Sequence, residues 1–154
     1  MLSPYYTAFT LTRCDVLAVN AQDDDQLTPL HLASFYGWVE MVQFLLDRGA
    51  TVSSEDNLGQ TPLHIVSQSA YISRRDEVRI GQLLLEHGAV VNAQDNNHAT
   101  SLDLASNHGK FELRWLLKDY GYKANAKVEQ GATPNQLELE VVDLHDKPVL
   151  STGT

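Results

Sequence analysis

The stretch TPLHLASFYGW, Thr28 to Trp38, has a near copy in TPLHIVSQSAY, Thr61 to Tyr71, at an offset of 33 residues. Thr100 and Thr133 also lie 33 apart, whereas Thr61 and Thr100 are separated by 39, so six extra residues fall inside that unit. Asp23, Asp56 and Asp95 each precede their threonine by five positions. The unit ends align as well: DRGATVSSED, EHGAVVNAQD and DYGYKANAKV. AVNAQD, at Ala18 to Asp23, resembles the end of a preceding unit. Self-similarity at such a period marks an array of supersecondary units stacked on one another.

Each unit reads physically in the same way. A threonine caps free N–H groups at a helix start, and proline suits the first helical position because its missing N–H is not needed there. PLHLASFY is therefore predicted as a short helix closed by Gly37, which can take the left-handed conformation. VEMVQFLLDR follows, with Val39, Met41, Val42, Leu45 and Leu46 at helical spacing, and Gly49 closes it. TVSSEDNLGQ has the polar, Asn/Asp/Gly-rich composition of a hairpin-like turn.

With these motifs in place, the sequence resembles the ankyrin repeat family over about three repeats, Val19 to Lys127. The resemblance implies an all-α helix-turn-helix solenoid with short hairpin-like turns. It divides the chain into a partial repeat or cap at 1–22, repeats at 23–55, 56–94 (with the insert) and 95–127, and a degenerate repeat start with an acidic tail at 128–154. It also implies that Thr28 with His31, and Thr61 with His64, lock the helix starts by hydrogen bonds, a structural role and not catalysis. In the third unit the tetrapeptide reads TSLD, so Ser101 and Asp103 replace proline and histidine and a weaker helix start is expected.

Aligned positions in the second helices run Val42, Gly81, Arg114 and Leu46, Leu85, Lys118. Burying two unpaired charges is costly, so the third unit is expected to turn that face to solvent as the C-terminal cap. Gly81 is expected to leave a void. Together with the insert near Tyr71 to Val78, read as a longer inter-helix loop, it is expected to make the middle unit fray. Arg74, Arg75, Asp76 and Glu77 read as a neutral solvated turn or as a dedicated contact. Residues 1–18 read either as an irregular helix covering the first full unit or as the scar of a longer array. From Val128 onward, five acids and one lysine predict an acidic, partly disordered tail, in which Leu137, Val141 and Leu144 fit a helical face while LELEV alternates like a strand.

Composition narrows the function. Apolar residues are 43% of the 154, and twenty acids against eleven bases give a net charge of −9, which disfavours nucleic acid. Cys14 is the single cysteine, read as an inert thiol. The first twenty residues lack a secretory pattern and no stretch is long and apolar enough to span a bilayer, so no membrane role and a cytoplasmic or nuclear location are expected. The histidines show no metal spacing, no hydrolase or phosphate-loop motif occurs, and the Asp23–Asp25 run offers too few ligands for calcium, so neither metal, cofactor nor enzymatic activity is expected.

By resemblance, the variable contact positions on the concave surface are Asp24, Asp25, Leu27, Phe35 and Tyr36 in the first unit. In the second they are Asn57, Leu58, Gln60, Gln68 and Ser69, and in the third Asn96, Asn97, Ala99, Asn107 and His108. Phe35, Tyr36 and Leu58 are the apolar anchors, although Phe35 and Tyr36 can equally be packing residues, as can Trp38 at its turn. The expected function is a protein–protein interaction module (adaptor, scaffold or inhibitor) for a partner with apolar and basic surface. The alternative is an interaction fragment of a larger protein whose catalytic or regulatory domain lies elsewhere.

Overall fold

The computed structural model describes residues 16–128, with side chains over 18–124. The expected cover at the N-terminus therefore falls mostly outside the described residues, and the degenerate repeat and acidic tail fall outside them beyond Val128. The chain divides into one unit ending at Gly121 and a second from Tyr122 onward. A short 3-10 turn at Val16–Asn20 leads into six helices: α1 (Pro29–Tyr36), α2 (Val39–Asp47), α3 (Pro62–Gln68), α4 (Arg74–Glu86), α5 (Ser101–Asn107) and α6 (Phe111–Val128). Among the described residues there is no strand, only an isolated bridge between Gln94 and Thr100.

The helices pack in pairs, α1 on α2 and α3 on α4, and the pairs stack, α1 on α3, α3 on α5 and α2 on α4. No pair could bury its own apolar face. Leu30, Val42 and Leu45 of the first pair, Leu63, Val66, Ile80 and Leu84 of the second, and Leu113 and Leu117 of α6 are all essentially inaccessible. The core is thus a continuous row between pairs, as in solenoids generally.

The repeated tetrapeptide explains both the helix starts and the stacking. Thr28 is extended, with Pro29 beginning α1, and Gly37 ends it in the left-handed region at φ 76°. His31 Nδ1 accepts from the Thr28 N–H at 3.1 Å and from its hydroxyl at 2.8 Å. Because Nδ1 accepts, the proton sits on Nε2, which donates to the Gln60 carbonyl of the next unit at 2.9 Å. His64 repeats this: Nδ1 takes the Thr61 N–H at 3.1 Å, and Nε2 faces the carbonyls of Ala93 and Ala99, each at 3.1 Å. Both imidazoles are fully buried.

Asp103 corrects the expectation of a weak third start. Its carboxylate accepts from the Thr100 N–H at 2.9 Å and hydroxyl at 2.7 Å, and its own N–H donates to Thr100 Oγ1 at 3.2 Å. The hydroxyl and N–H of Thr100 hold the Asp103 carboxyl below its ordinary range. A carboxylate can therefore cap as the histidine does, but it carries no N–H to donate to a following unit.

Three further expectations change. Helix α2 has nine residues and α4 thirteen, so most of the insert lengthens the helix; only the remainder widens the link between α3 and α4. Gly81 leaves no void. A Cβ there would meet Leu113 Cδ1 at 2.7 Å and Leu116 Cδ2 at 3.3 Å, so the missing side chain is the space α6 packs into, and this ground for fraying of the middle unit is removed. Arg114 and Lys118 are half-buried and do not stand free in solvent, with the Arg114 guanidinium 5.9 Å from the Phe111 ring.

Glu77 is not part of a solvated turn. It sits inside the first turn of α4 at 3% exposure, and Lys110 Nζ donates to it at 2.6 Å. The side chains of both are nearly inaccessible, 9% for Lys110 and 4% for Glu77. Such a pair costs desolvation, and losing one partner strands the other charge.

Lys110→Met is accordingly expected to destabilise by about 3 kcal/mol in urea melts, and Glu77→Leu/Lys110→Met to recover most of that loss. A double variant destabilised by the sum of the Lys110→Met and Glu77→Leu losses would show that the pair is not coupled. The histidine lock gives a pH dependence. Burial holds His31 below the 6.5 of an ordinary imidazole, outweighing the carbonyl of Gln60 and the charge of Asp56, which pull upward. Its contribution is whole above 6.5 and lost as pH falls below that value, because the unfolded chain then binds the extra proton. His31→Gln is expected to be less stable at neutral pH, with a stability slope shallower by up to about 1 kcal/mol per pH unit as the pH falls below 6.5. Parallel slopes for the two proteins would refute the assignment.

Candidate protein-interaction surface

The turns between units are built by their leading aspartates. Asp23 Oδ1 accepts from the N–H groups of Asp25 and Leu27 at 3.0 and 2.9 Å. Asp56 does the same for Leu58 and Gln60, both at 2.9 Å. Asp95 takes Asn97 at 2.8 Å and Ala99 at 3.0 Å. A backbone bond closes each turn, from Asp23 to Leu27, Asp56 to Gln60 and Asp95 to Ala99. The fourth position is left-handed in all three, at Gln26, Gly59 and His98 with φ of 64°, 72° and 63°. Only the middle turn uses glycine, and there a Cβ would lie 2.6 Å from Asn96 Oδ1 and 3.1 Å from Asn96 N.

The turns are joined edge to edge. The Asn57 N–H donates to the Asp25 carbonyl at 3.1 Å, and the Asn96 N–H to the Leu58 carbonyl at 3.0 Å. Side-chain amides reinforce this, Asn57 to Asp25 Oδ1 and Asn96 to the Asn57 carbonyl, each at 3.3 Å. The tips are held rigidly by backbone bonds while Asp24, Asp25, Asn57, Leu58, Asn96 and Asn97 remain exposed. Leu27 and Ala99 are half-buried behind them. The exposed acids Asp24 and Asp25 give the first tip its negative charge.

Gln60 and Ser69, expected among the contact positions, turn inward. Gln60 is 7% exposed, donates to Asp95 Oδ2 at 3.2 Å and accepts from Gln68 Nε2 at 2.7 Å. Ser69 is 2% exposed, its hydroxyl donating to the Phe35 carbonyl at 2.7 Å. Both therefore brace the stack. Burial acts to raise the Asp95 carboxyl, but hydrogen bonds from Ala99, the Gln60 side chain and Asn97 outweigh it and hold the group below its ordinary range.

At the ends of the first helices the side chains gather into an aromatic cluster. Phe35 meets Tyr36 edge-on at 5.0 Å and Tyr71 at 5.2 Å, and Tyr36 stacks on Trp38 at 5.1 Å. Phe35 and Trp38 are half-buried, whereas Tyr36 is 40% and Tyr71 72% exposed. Phe35 and Tyr36 thus combine packing with exposure. Tyr71 was missed by sequence reasoning; it comes from the insert, and the aromatic in QSAYIS was the available signal. Gln68 is half-buried, and Asn107 and His108 are exposed, His108 Nδ1 donating to the Leu104 carbonyl at 2.8 Å. Among the described residues no group of three His, Cys, Asp or Glu could hold a metal, and no helix is long and apolar enough to cross a membrane.

Comparison with known proteins agrees with this architecture. The family described as "Ankyrin repeats (3 copies)" matches residues 7–74, and "Ankyrin repeat" matches residues 58–96. The chain is 49% identical over 55 residues to the Transient receptor potential cation channel subfamily A member 1 homolog of Caenorhabditis elegans, covering 36% of this chain and 4% of that one. It is 47% identical over 49 residues to the Serine/threonine-protein kinase VIK of Arabidopsis thaliana, 32% of this chain and 11% of the other. It is 47% identical over 47 residues to Rabankyrin-5 of Homo sapiens, 30% of this chain and 4% of the other. The chain thus spans only a small part of the length of these relatives. The family matches together cover residues 7–96, more than half of the 154. With the paired helices and the histidine-locked starts, they make the chain a member of the ankyrin-repeat family, whose repeats are protein–protein interaction modules without catalytic chemistry of their own.

Proposed function

We propose that this chain binds a partner protein on the surface formed by its turn tips and first helices. The observation that carries the reading is the aromatic cluster of Phe35, Tyr36, Trp38 and Tyr71, half-buried at its base and open at its rim. Anchored aromatics with part of their area free are what interface hot spots are made of. Leu58, at 54% exposure, adds an aliphatic contact, and Asp24 and Asp25 favour a partner with basic groups. Binding is by rigid display. Backbone bonds between the turns fix the tips beforehand, so little order has to be created on association.

The test uses Tyr36→Ala/Leu58→Ala, whose native side chains are exposed, and Asp24→Lys/Asp25→Lys. A partner captured by the wild-type chain and titrated by calorimetry is expected to lose at least about thirty-fold in affinity to the first variant. The second is expected to slow association and remove most of the salt dependence. Undiminished affinity in both folded variants would move the interface away from this surface.

A second reading is supported by the relatives' lengths, of which this chain covers 4% to 11%. In it, the array is the interaction part of a larger protein with its other activities elsewhere. An antibody raised against the array should then detect a species well above 17.1 kDa in cells of the source organism. A single band at that mass would remove this reading.

A further inference from the structure

Helix α4 carries a second surface, different in charge from the turn tips. Arg75, Val78, Arg79 and Gln82 recur at i, i+3, i+4 and i+7, so they share one helical face. The opposite face holds the buried Glu77, Ile80, Gly81 and Leu84. Arg75 and Arg79 are exposed, Val78 and Gln82 half-buried. With Arg74 and Glu112 they line a shallow depression of about 470 Å³. Arg74 lies 4.0 Å from Glu112, a loose contact between side chains 83% and 54% exposed. Among the described residues no carboxylate pairs with Arg75 or Arg79.

This concentration of positive charge sits on a chain of net charge −9. The equivalent helix of the first unit, α2, offers Glu40, Gln43 and Asp47 instead, with Gln43 bonded to Asp47 at 2.9 Å. The start of α4 does not need the arginines. Ser73 accepts the Asp76 N–H at 3.2 Å and donates to its carboxylate at 2.8 Å, so the helix is already capped. Arginines in a first turn also oppose the helix dipole. They are not explained by the stability of their own helix.

We propose that the outer face of α4 is a second docking surface, taking an acidic, amphipathic segment of a partner protein. Two guanidiniums one turn apart match two carboxylates at helical or extended spacing. Val78 and the arginine stems provide an apolar floor for a neighbouring aliphatic side chain. Nucleic acid fits worse, because the chain's net charge of −9 repels a phosphate backbone and the Glu112 carboxylate is among the lining groups. A partner on this face and another on the aromatic cluster would make the module a bridge.

The test uses the full chain and a fluorescein-labelled peptide rich in Glu and Leu, read by anisotropy at low salt and by backbone amide shifts. Binding is expected with shifts concentrated on residues 74–82, weakened at least about ten-fold by Arg75→Glu/Arg79→Glu and unchanged by Tyr36→Ala/Leu58→Ala. Both arginines are exposed, so the charge variant should fold normally. Absence of binding below roughly 1 mM would overturn the proposal. So would equal binding by the charge variant, or equal affinity for oligothymidylate, which would mark a generic polyanion surface.

Discussion

The fold depends on a division of labour within a buried histidine. One ring nitrogen accepts from the threonine that begins its own helix, and the other donates to a carbonyl of the next unit. His31 reaches Gln60 and His64 reaches Ala99, with Ala93 at the end of its own unit equally close. Either half alone would be an ordinary cap or an ordinary tertiary bond. Joined in one neutral imidazole, they make the start of each helix pair conditional on the pair that follows. This couples secondary structure to stacking in a protein whose units cannot bury an apolar face individually.

The third pair is joined differently. Asp103 keeps the local half of the lock and lacks the other. On the second-helix side, attachment to the middle pair comes from Lys110 reaching the buried Glu77 and from α6 filling the space at Gly81. The first contact is polar and specific in geometry, the second apolar and specific in shape. A buried pair tolerates joint replacement far better than single loss, whereas a tight glycine contact tolerates neither bulk nor displacement.

Much of the fold was legible because its signals are local. Thr-Pro at a helix start, glycine at its end and aspartate five positions earlier each act within a few residues. What local reading missed acts across units. Nothing near Glu77 announces a lysine 33 residues away, and Gly81 looked like a void because its occupant, Leu113, belongs to another helix pair. The site divided in the same way. The contact positions came from the family resemblance, and the turns leave Asn57, Leu58 and Asn97 exposed. Gln60 and Ser69 were misjudged because their partners, Asp95, Gln68 and Phe35, become neighbours only through stacking or helix formation. Tyr71 was overlooked because the insert that carries it has no counterpart in the other units.

The middle turn has a consequence for how such arrays can be rearranged. Gly59 is not merely a residue at ease with a positive φ, since Gln26 and His98 adopt the same conformation with full side chains. It is bare because Asn96 lies against it. A Cβ at the turn that precedes Asn96 would require the Asn96 amide to swing aside, whereas the first turn carries Gln26, and the Asn57 amide that follows it reaches Asp25 instead. The units look like exchangeable cassettes but are keyed to their neighbours. A permuted array placing the first turn ahead of the third unit would have to re-aim the Asn96 amide at that junction despite its intact repeat motifs.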